Sequence, residues 1–169
     1  MTRLLGAVLV AAASAWMGMS ASSNLRRRAT ALEDMAEGLA HLCRELERDN
    51  PPLPELMTRL AGACRGSAAD LFRGCPAALN GLDQEPFSRA WERLVAERRE
   101  LGTEGQRALA ALGPVLGRCG WEDQRRAAES ARDRLSHLSR EWEERWQQQG
   151  RVCRVLGLSG GAFLVILLL

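Results

Sequence analysis

Ala29-Thr-Ala-Leu-Glu-Asp-Met-Ala-Glu-Gly-Leu-Ala-His-Leu-Cys-Arg-Glu-Leu-Glu-Arg48 carries the clearest structural pattern of this 169-residue chain. Its large apolar side chains recur at steps of three and four residues, which places them along one side of an α-helix: Leu32, Met35, Leu39, Leu42 and Leu46. Asn50-Pro51-Pro52 comes next, and a residue before proline is driven out of the helical region. The pattern predicts an amphipathic helix that ends near Arg48 and packs its apolar stripe against other helices.

The region after Pro52 repeats this kind of pattern. Ala, Leu, Arg and Glu dominate, tyrosine is absent, and no strand-like alternation occurs. Turn and cap residues divide the region into five further predicted helices: one from Pro54 to Gly66, one capped by Ser67 that Pro76 kinks or ends early, one over 85–100, one capped by Thr103 with a kink at Gly113-Pro114, and one from Trp121 to Gly150. We therefore predict an all-α fold, a small bundle of about six helices.

The last predicted helix has its own inward stripe. It contains Ala127, Ala131, Leu135, Leu138, Trp142 and Trp146, at helical spacing. The two tryptophans lie four positions apart near the apolar end, so they are either core residues or an anchor at the membrane interface. No proline occurs after Trp121, so this helix can run past Gly150 into the apolar C-terminal stretch.

Both ends of the chain are apolar. Residues 4–22 and 155–169 contain no charged side chain. Nineteen helical residues reach about 28 Å, close to the ~30 Å hydrocarbon core of a bilayer, and fifteen reach only about 22 Å. We predict an N-terminal transmembrane helix at 4–22, a cytoplasmic helical bundle at 26–150, and a short C-terminal transmembrane segment at 155–169 that spans the bilayer fully or in part.

Charge divides the chain in the same way. All 21 acidic residues lie between Glu33 and Glu144 together with 16 arginines, so this region has a net charge of −5, and the other seven arginines make the flanks +7. An acidic body with basic ends excludes an ordinary nucleic-acid-binding domain, whose positive charge lies on its body. Arginines beside an apolar segment stay on the cytoplasmic side. We therefore expect the central region in the cytoplasm and both chain ends on the far side of a membrane.

A cleavable signal peptide is the alternative for the N-terminus. Arg3, the apolar run and the small residues around Ala13-Ser14-Ala15 or Met19-Ser20-Ala21 would serve as one. Against it, the three arginines at 26–28 oppose translocation of the central region across the membrane. On this alternative the chain is an exported helical protein with a membrane-inserted tail.

The residue types that usually carry chemistry form no recognisable motif. The five cysteines are widely spaced and odd in number, so we expect reduced thiols. His41 and His137 are the only histidines, so ligand pairs at zinc spacing are missing. Lysine is absent altogether, which excludes a Walker-type ATP site. We predict a non-enzymatic interaction protein without a catalytic, metal or cofactor site, and a thiol-dependent enzyme is the distant alternative.

Four stretches resemble parts of one known family. They are Leu4-Leu-Gly-Ala-Val-Leu-Val with Ser14 and Gly18, Pro52-Leu-Pro-Glu-Leu56, Leu116-Gly117 with Glu122-Asp-Gln124, and Leu156-Gly-Leu-Ser-Gly-Gly-Ala-Phe-Leu-Val-Ile-Leu-Leu-Leu169. Their order and spacing are similar to those of the stage III sporulation protein AB family along nearly the whole chain. One segment departs from the family pattern, because Cys119-Gly120-Trp121 stands where the family has Ser-Asp-Arg. Gly120 must then cap the last helix, and it is the poorer cap.

The resemblance implies a role in bacterial endospore formation. Such proteins look like reduced relatives of the inner-membrane platform proteins of type II secretion and type IV pilus machines. The implied partners are a secretion-type ATPase similar to stage III sporulation protein AA and other membrane subunits of the same complex. The implied location is the mother-cell membrane that faces the forespore. The implied function is a membrane platform or scaffold subunit of a transenvelope complex.

The sequence does not single out a binding surface. Charged residues that flank the two apolar ends are candidates on position alone: Arg44, Glu45, Arg48, Arg140, Glu141 and Glu144. They are not predicted as site residues.

Overall fold

In a computed structural model the chain is predominantly helical. The structure describes the backbone of residues 2–49, 51–81 and 85–168, and the side chains of residues 23–49, 51–81 and 85–148. Within this part there is no strand, and the elements are α1 (Thr2–Arg48), α2 (Leu53–Ala63), α3 (Gly66–Leu79), α4 (Phe87–Ala96), a 3₁₀ turn (Arg99–Leu101), α5 (Gly102–Ala110) and α6 (Trp121–Leu168). The predicted all-α fold of about six helices is confirmed.

The first and last helices are much longer than the amphipathic patterns inside them. α1 was predicted to begin near Ala29 but begins at Thr2, because no proline interrupts the first 50 residues. α6 passes Gly150 and reaches Leu168, as its lack of proline allows. The predicted transmembrane segments at 4–22 and 155–169 thus belong to these two helices, but their side chains lie outside the described residues. Among the described residues, no helix combines the length and the apolarity of a membrane span.

Two compact units make up the chain. One consists of residues 28–140, which we call the body, and the other of residues 1–27 together with 141–169, which we call the flanking unit. In the body, α1 and α6 run antiparallel, since Ser139 near one end donates a hydrogen bond to the Ala29 carbonyl at 3.0 Å. At the other end the Cys43 thiol lies 3.9 Å from the Arg125 carbonyl oxygen.

The core of the body contains the predicted stripes with one shift in register. All five large apolar residues predicted for α1 are buried: Leu32, Met35, Leu39, Leu42 and Leu46. In the second turn of α6, Ala128 is buried, whereas the predicted Ala127 is only half-buried. The stripe therefore begins at Gln124, a buried polar residue that an apolar pattern cannot reveal.

The start of α3 differs from the prediction. The helix begins at Gly66, and Ser67 is no cap, because Arg65 holds the N-cap position and no side chain caps the first turn from there. Pro76 lies inside the helix, which continues for about one more turn to Leu79. A proline so near a C-terminus removes only one backbone bond, so the helix does not end there.

Two predicted helices are shorter than expected. The predicted helix at 85–100 is α4 at Phe87–Ala96 with the 3₁₀ turn after it, since the Gln106 amide bonds the carbonyls of Val95, Ala96 and Arg98. α5 begins at Gly102 without a side-chain cap, so the prediction of Thr103 as its cap is wrong. It ends at Ala110, and residues 111–118 form consecutive turns where a kinked helix was predicted.

Candidate functional site

One end of the body exposes a tryptophan. Trp121, the first residue of α6, is 42% exposed and is the only large apolar side chain that is exposed among the described residues. Residues 117–120 before it are all exposed, and Pro52 and Leu53 at the start of α2 lie beside this turn. We call Pro52, Leu53 and residues 117–121 the turn surface.

Buried hydrogen bonds hold the turn surface in place. Gln124 is only 9% exposed, its Nε2 donates to the Cys119 carbonyl at 2.8 Å, and its Oε1 accepts from the Gly117 N–H at 3.2 Å. Gly117 has a φ of 73°, and a Cβ there would lie 2.8 Å from Cδ2 of Leu53. A side chain larger than hydrogen at position 117 would strain the backbone and displace Leu53. The exposed indole therefore stands on a rigid base.

The start of α6 has no side-chain cap. The Gly120 carbonyl accepts the Gln124 N–H at 3.1 Å, which puts Gly120 in the N-cap position. This agrees with the prediction that Gly120 must serve there. Its missing side chain leaves first-turn N–H groups to solvent.

Ion pairs occupy the faces next to the turn surface. Arg59 of α2 bonds Glu45 at 3.1 Å and Glu55 at 2.7 Å. Arg125 of α6 lies 3.4 Å from Glu47 of α1. These pairs are largely exposed, so each contributes about 1 kcal/mol or less. They join α1 to α2 and to α6.

The charged candidates near the ends of the chain do not form one surface. Glu45 is paired with Arg59, and Arg48 lies 3.4 Å from Asp49. Arg44 and Arg140 are exposed on the body. Glu141 and Glu144 belong to the flanking unit, where Glu144 is exposed and Glu141 is half-buried. The structure therefore does not bring the six together.

A small polar cleft of about 110 Å³ lies where α1 meets the α2–α3 connection. Its lining consists of Asp34, Glu37, Gly38, His41, Ala63, Cys64 and Arg65. Among the described residues, no group of three or more His, Cys, Asp or Glu is arranged to hold a metal ion. That a metal site is missing from the whole chain stays a prediction.

A carboxylate of α1 provides the cap that α3 lacks in its own sequence. The Asp34 carboxylate accepts a hydrogen bond from the Ser67 backbone N–H, and the Ser67 hydroxyl donates to Glu100 Oε1 at 3.0 Å. Burial raises the pKa of the Asp34 carboxyl, and the neighbouring Glu37 raises it further. Hydrogen bonding to Ser67 and the charge of Arg65 oppose this rise. Asp34 and Ser67 thus join α1, α3 and the 3₁₀ turn.

The thiols differ in accessibility. Cys43 and Cys75 are buried, Cys64 is half-buried and Cys119 is exposed on the turn surface. Burial raises the pKa of the Cys75 thiol to about 12 and also raises the pKa of Cys43 and Cys64. Four of the five cysteines have described side chains, and these four are free, in agreement with the prediction of reduced thiols.

Comparison with known proteins identifies the family. A family model described as Stage III sporulation protein AB (spore_III_AB) matches residues 3–169, nearly the whole chain. This chain belongs to the stage III sporulation protein AB family. The resemblance inferred from the four stretches is thereby confirmed. No curated protein and no solved structure gives a significant match.

Part of the turn surface departs from the sequence pattern of the family. In this stage III sporulation protein AB family member, the departure Cys119-Gly120-Trp121 falls on the turn surface and supplies both its exposed thiol and its exposed indole. Sequence patterns gave no reason to single out Trp121, because it precedes the predicted inward stripe of α6, which begins at Ala127. The departure from the family pattern was the one available signal. Asp34 gave no local signal, since it caps a helix 32 positions later in the chain.

Proposed function

We propose that this sporulation protein is a non-enzymatic membrane platform or scaffold subunit of a transenvelope, secretion-like complex, and that its body engages a partner cytoplasmic ATPase. Membership of a stage III sporulation family supports the sporulation setting. The apolar stretches 4–22 and 155–169, with arginines at their inner ends, support anchoring at both ends of the chain. The body then faces the cytoplasm of the mother cell, where an ATPase can reach it.

The exposed Trp121 is the observation that carries the proposal. Tryptophan is enriched among residues that dominate binding energy at protein interfaces, above all when it stands on a preorganised base. Gln124 and Gly117 supply such a base through their hydrogen bonds at the turn. Faces beside it are engaged in internal ion pairs. The turn surface is therefore the part of the body best suited to receive the ATPase.

Binding of a purified ATPase similar to stage III sporulation protein AA tests this function. We expect the detergent-solubilised full chain to bind it with a Kd in the micromolar range or tighter, and Trp121→Ala to weaken binding at least about tenfold. Arg107→Ala, an exposed change on α5, is the matched control and should leave the Kd unchanged. Both variants should keep the melting temperature, because both side chains are exposed.

The two possible failures have different meanings. No binding by the unaltered chain at tens of micromolar, order of magnitude, would overturn the platform function. Normal binding by Trp121→Ala would overturn only the assignment of the turn surface. The alternative of a cleaved leader predicts a new N-terminus near Ala15 or Ala21. A measured mass of the intact protein that corresponds to a chain beginning at Met1 or Thr2 would exclude this alternative.

A further inference from the structure

The flanking unit contains two arginine–tryptophan stacks. The Arg26 guanidinium lies 5.6 Å from the ring centroid of Trp146, and the Arg145 guanidinium lies 4.9 Å from that of Trp142. The first stack joins α1 to α6, since Arg26 is in one helix and Trp146 in the other. The ring covers one face of each guanidinium and leaves the N–H edge free to bind an anion.

The sign of the charge changes at the level of these stacks. Glu143 and Glu144 are the last acidic residues of α6, and beyond Trp146 its charged residues are all arginines. In α1, no acidic residue precedes Arg26. Arg26 and Arg27 are exposed, and among the described residues neither lies within ion-pair distance of a carboxylate. From this level to the two apolar stretches, the charged residues in the sequence are therefore all arginines.

We infer that Arg26, Arg27, Arg145 and the two tryptophans form a binding site for the phosphate of anionic phospholipid headgroups. Phosphate accepts two parallel N–H bonds from one guanidinium edge, which suits an arginine that a ring already holds in orientation. Tryptophan prefers the headgroup level of a bilayer, so the same rings place the arginines at the depth of the phosphates. An arginine near an anionic membrane surface adds to the attraction. The inference rests on the proposed anchoring in a membrane and adds the class of lipid.

Spin-labelled lipids measure this preference in the full chain. The protein is reconstituted in phosphatidylcholine vesicles that contain a trace of spin-labelled phosphatidylglycerol or of spin-labelled phosphatidylcholine. The two labels then give a relative association constant at the protein surface. We expect phosphatidylglycerol to be favoured at least about threefold at low salt, with the preference lost near 1 M salt, where the Debye length is about 3 Å.

Matched variants distinguish the effect of this site on lipid preference from the effect of the protein's total charge. Arg26→Gln combined with Arg27→Gln should reduce the preference to near unity, whereas Arg89→Gln combined with Arg107→Gln removes the same charge from exposed positions of the body and should leave it unchanged. Trp146→Leu should reduce the preference in part, because Arg26 loses its stacking ring. Equal association of both labels with the unaltered chain would overturn the inference, as would an equal effect of the two double variants. If neither label is immobilised and the protein does not float with the vesicles, the proposed anchoring itself fails.

Discussion

Asp34 caps the start of α3, but its partly buried negative charge makes the folded protein less stable. Because burial raises the pKa of this carboxyl, the folded state binds a proton more tightly than the unfolded chain does. The charged form therefore lowers the free energy of unfolding at neutral pH, and this penalty disappears as the pH falls below the unfolded value of 3.8. The group is half-buried, so solvent screening limits the effect to about 1 kcal/mol or less.

Asp34→Asn keeps the acceptor for the Ser67 N–H and removes the charge. We expect the variant to melt above the unaltered protein at pH 7 and to lose that advantage as the pH falls towards 4, because the unaltered carboxyl then becomes protonated. Asp34→Ala removes the acceptor too and should have a free energy of unfolding about 1 kcal/mol below that of Asp34→Asn at both pH values. Melting curves of the full chain in detergent at several pH values test this. A constant difference between Asp and Asn across the range would contradict it.

The position of the Asp34 carboxylate also requires a glycine at position 66. Its φ is 51°, and a Cβ there would lie 1.9 Å from Oδ2 of Asp34. Gly66→Ala should lower the free energy of unfolding by at least about 2 kcal/mol, since the left-handed backbone conformation alone costs an L-residue about 1–2 kcal/mol. Thermal unfolding followed by circular dichroism measures this.

Gly62 is the matched control for that substitution, four positions earlier in α2. It has nothing within 4 Å of an added Cβ, so Gly62→Ala should raise the free energy of unfolding by up to about 1 kcal/mol. The steric part of the Gly66 effect can be isolated by repeating Gly66→Ala in an Asp34→Ala background, where the clashing carboxylate is gone. If both alanine substitutions shift the melting temperature in the same direction, the cause assigned to Gly66 is wrong.

The start of α6 has a glycine at its N-cap position. Gly120 has no left-handed φ and nothing within 4 Å of an added Cβ, so a capping side chain fits there without strain. Gly120→Asp should raise the free energy of unfolding by about 0.5–1 kcal/mol, through a new bond to the first-turn N–H groups and favourable charge at the helix N-terminus. Gly120→Ala is the control, because it changes the backbone entropy but adds no cap. Equal melting temperatures for the two variants would show that capping contributes nothing.

Helix type and the helix ends that local residues determine could be predicted from the sequence, whereas the helix ends that depend on distant residues could not. The stripe of α1 and its stop at Arg48 depend on spacing and on Pro51, both of which act locally. The ends of α3 and α4 depend on distant partners, because Asp34 caps one and Gln106 bonds the last carbonyls of the other. Serine and threonine caps were predicted at Ser67 and Thr103 from local chemistry alone, but Asp34 of α1 caps α3 and no side chain caps α5.

The conformation of the turn surface could not be predicted from local sequence either. Its rigid base depends on Gln124, whose side chain folds back on Cys119 and Gly117. A glutamine in a helical pattern is typical of a solvated face, so the spacing gave no reason to expect it buried. The available signal was the departure from the family pattern at Cys119-Gly120-Trp121, where the exposed tryptophan lies.

The charge division of the chain leads to a test of its orientation that uses one of its own thiols. Cys119 is the only exposed cysteine among those whose side chains are described. Cys43 and Cys75 are buried, and the raised pKa of half-buried Cys64 keeps its reactive thiolate scarce. Replacing Cys153, which lies outside the described side chains, by serine leaves Cys119 as the main reporter for the body.

In the Cys153→Ser background, a membrane-impermeant maleimide should not label intact vegetative cells that produce the protein, and should label the protein once the membrane is permeabilised. This result is expected on the proposed topology, in which the arginines at 26–28 and at 151 and 154 keep both inner junctions in the cytoplasm. A Cys119→Ser variant gives the background signal from the less accessible thiols. Labelling of intact cells that depends on Cys119 would place the body outside the cytoplasm, and a cytoplasmic ATPase could then not reach Trp121.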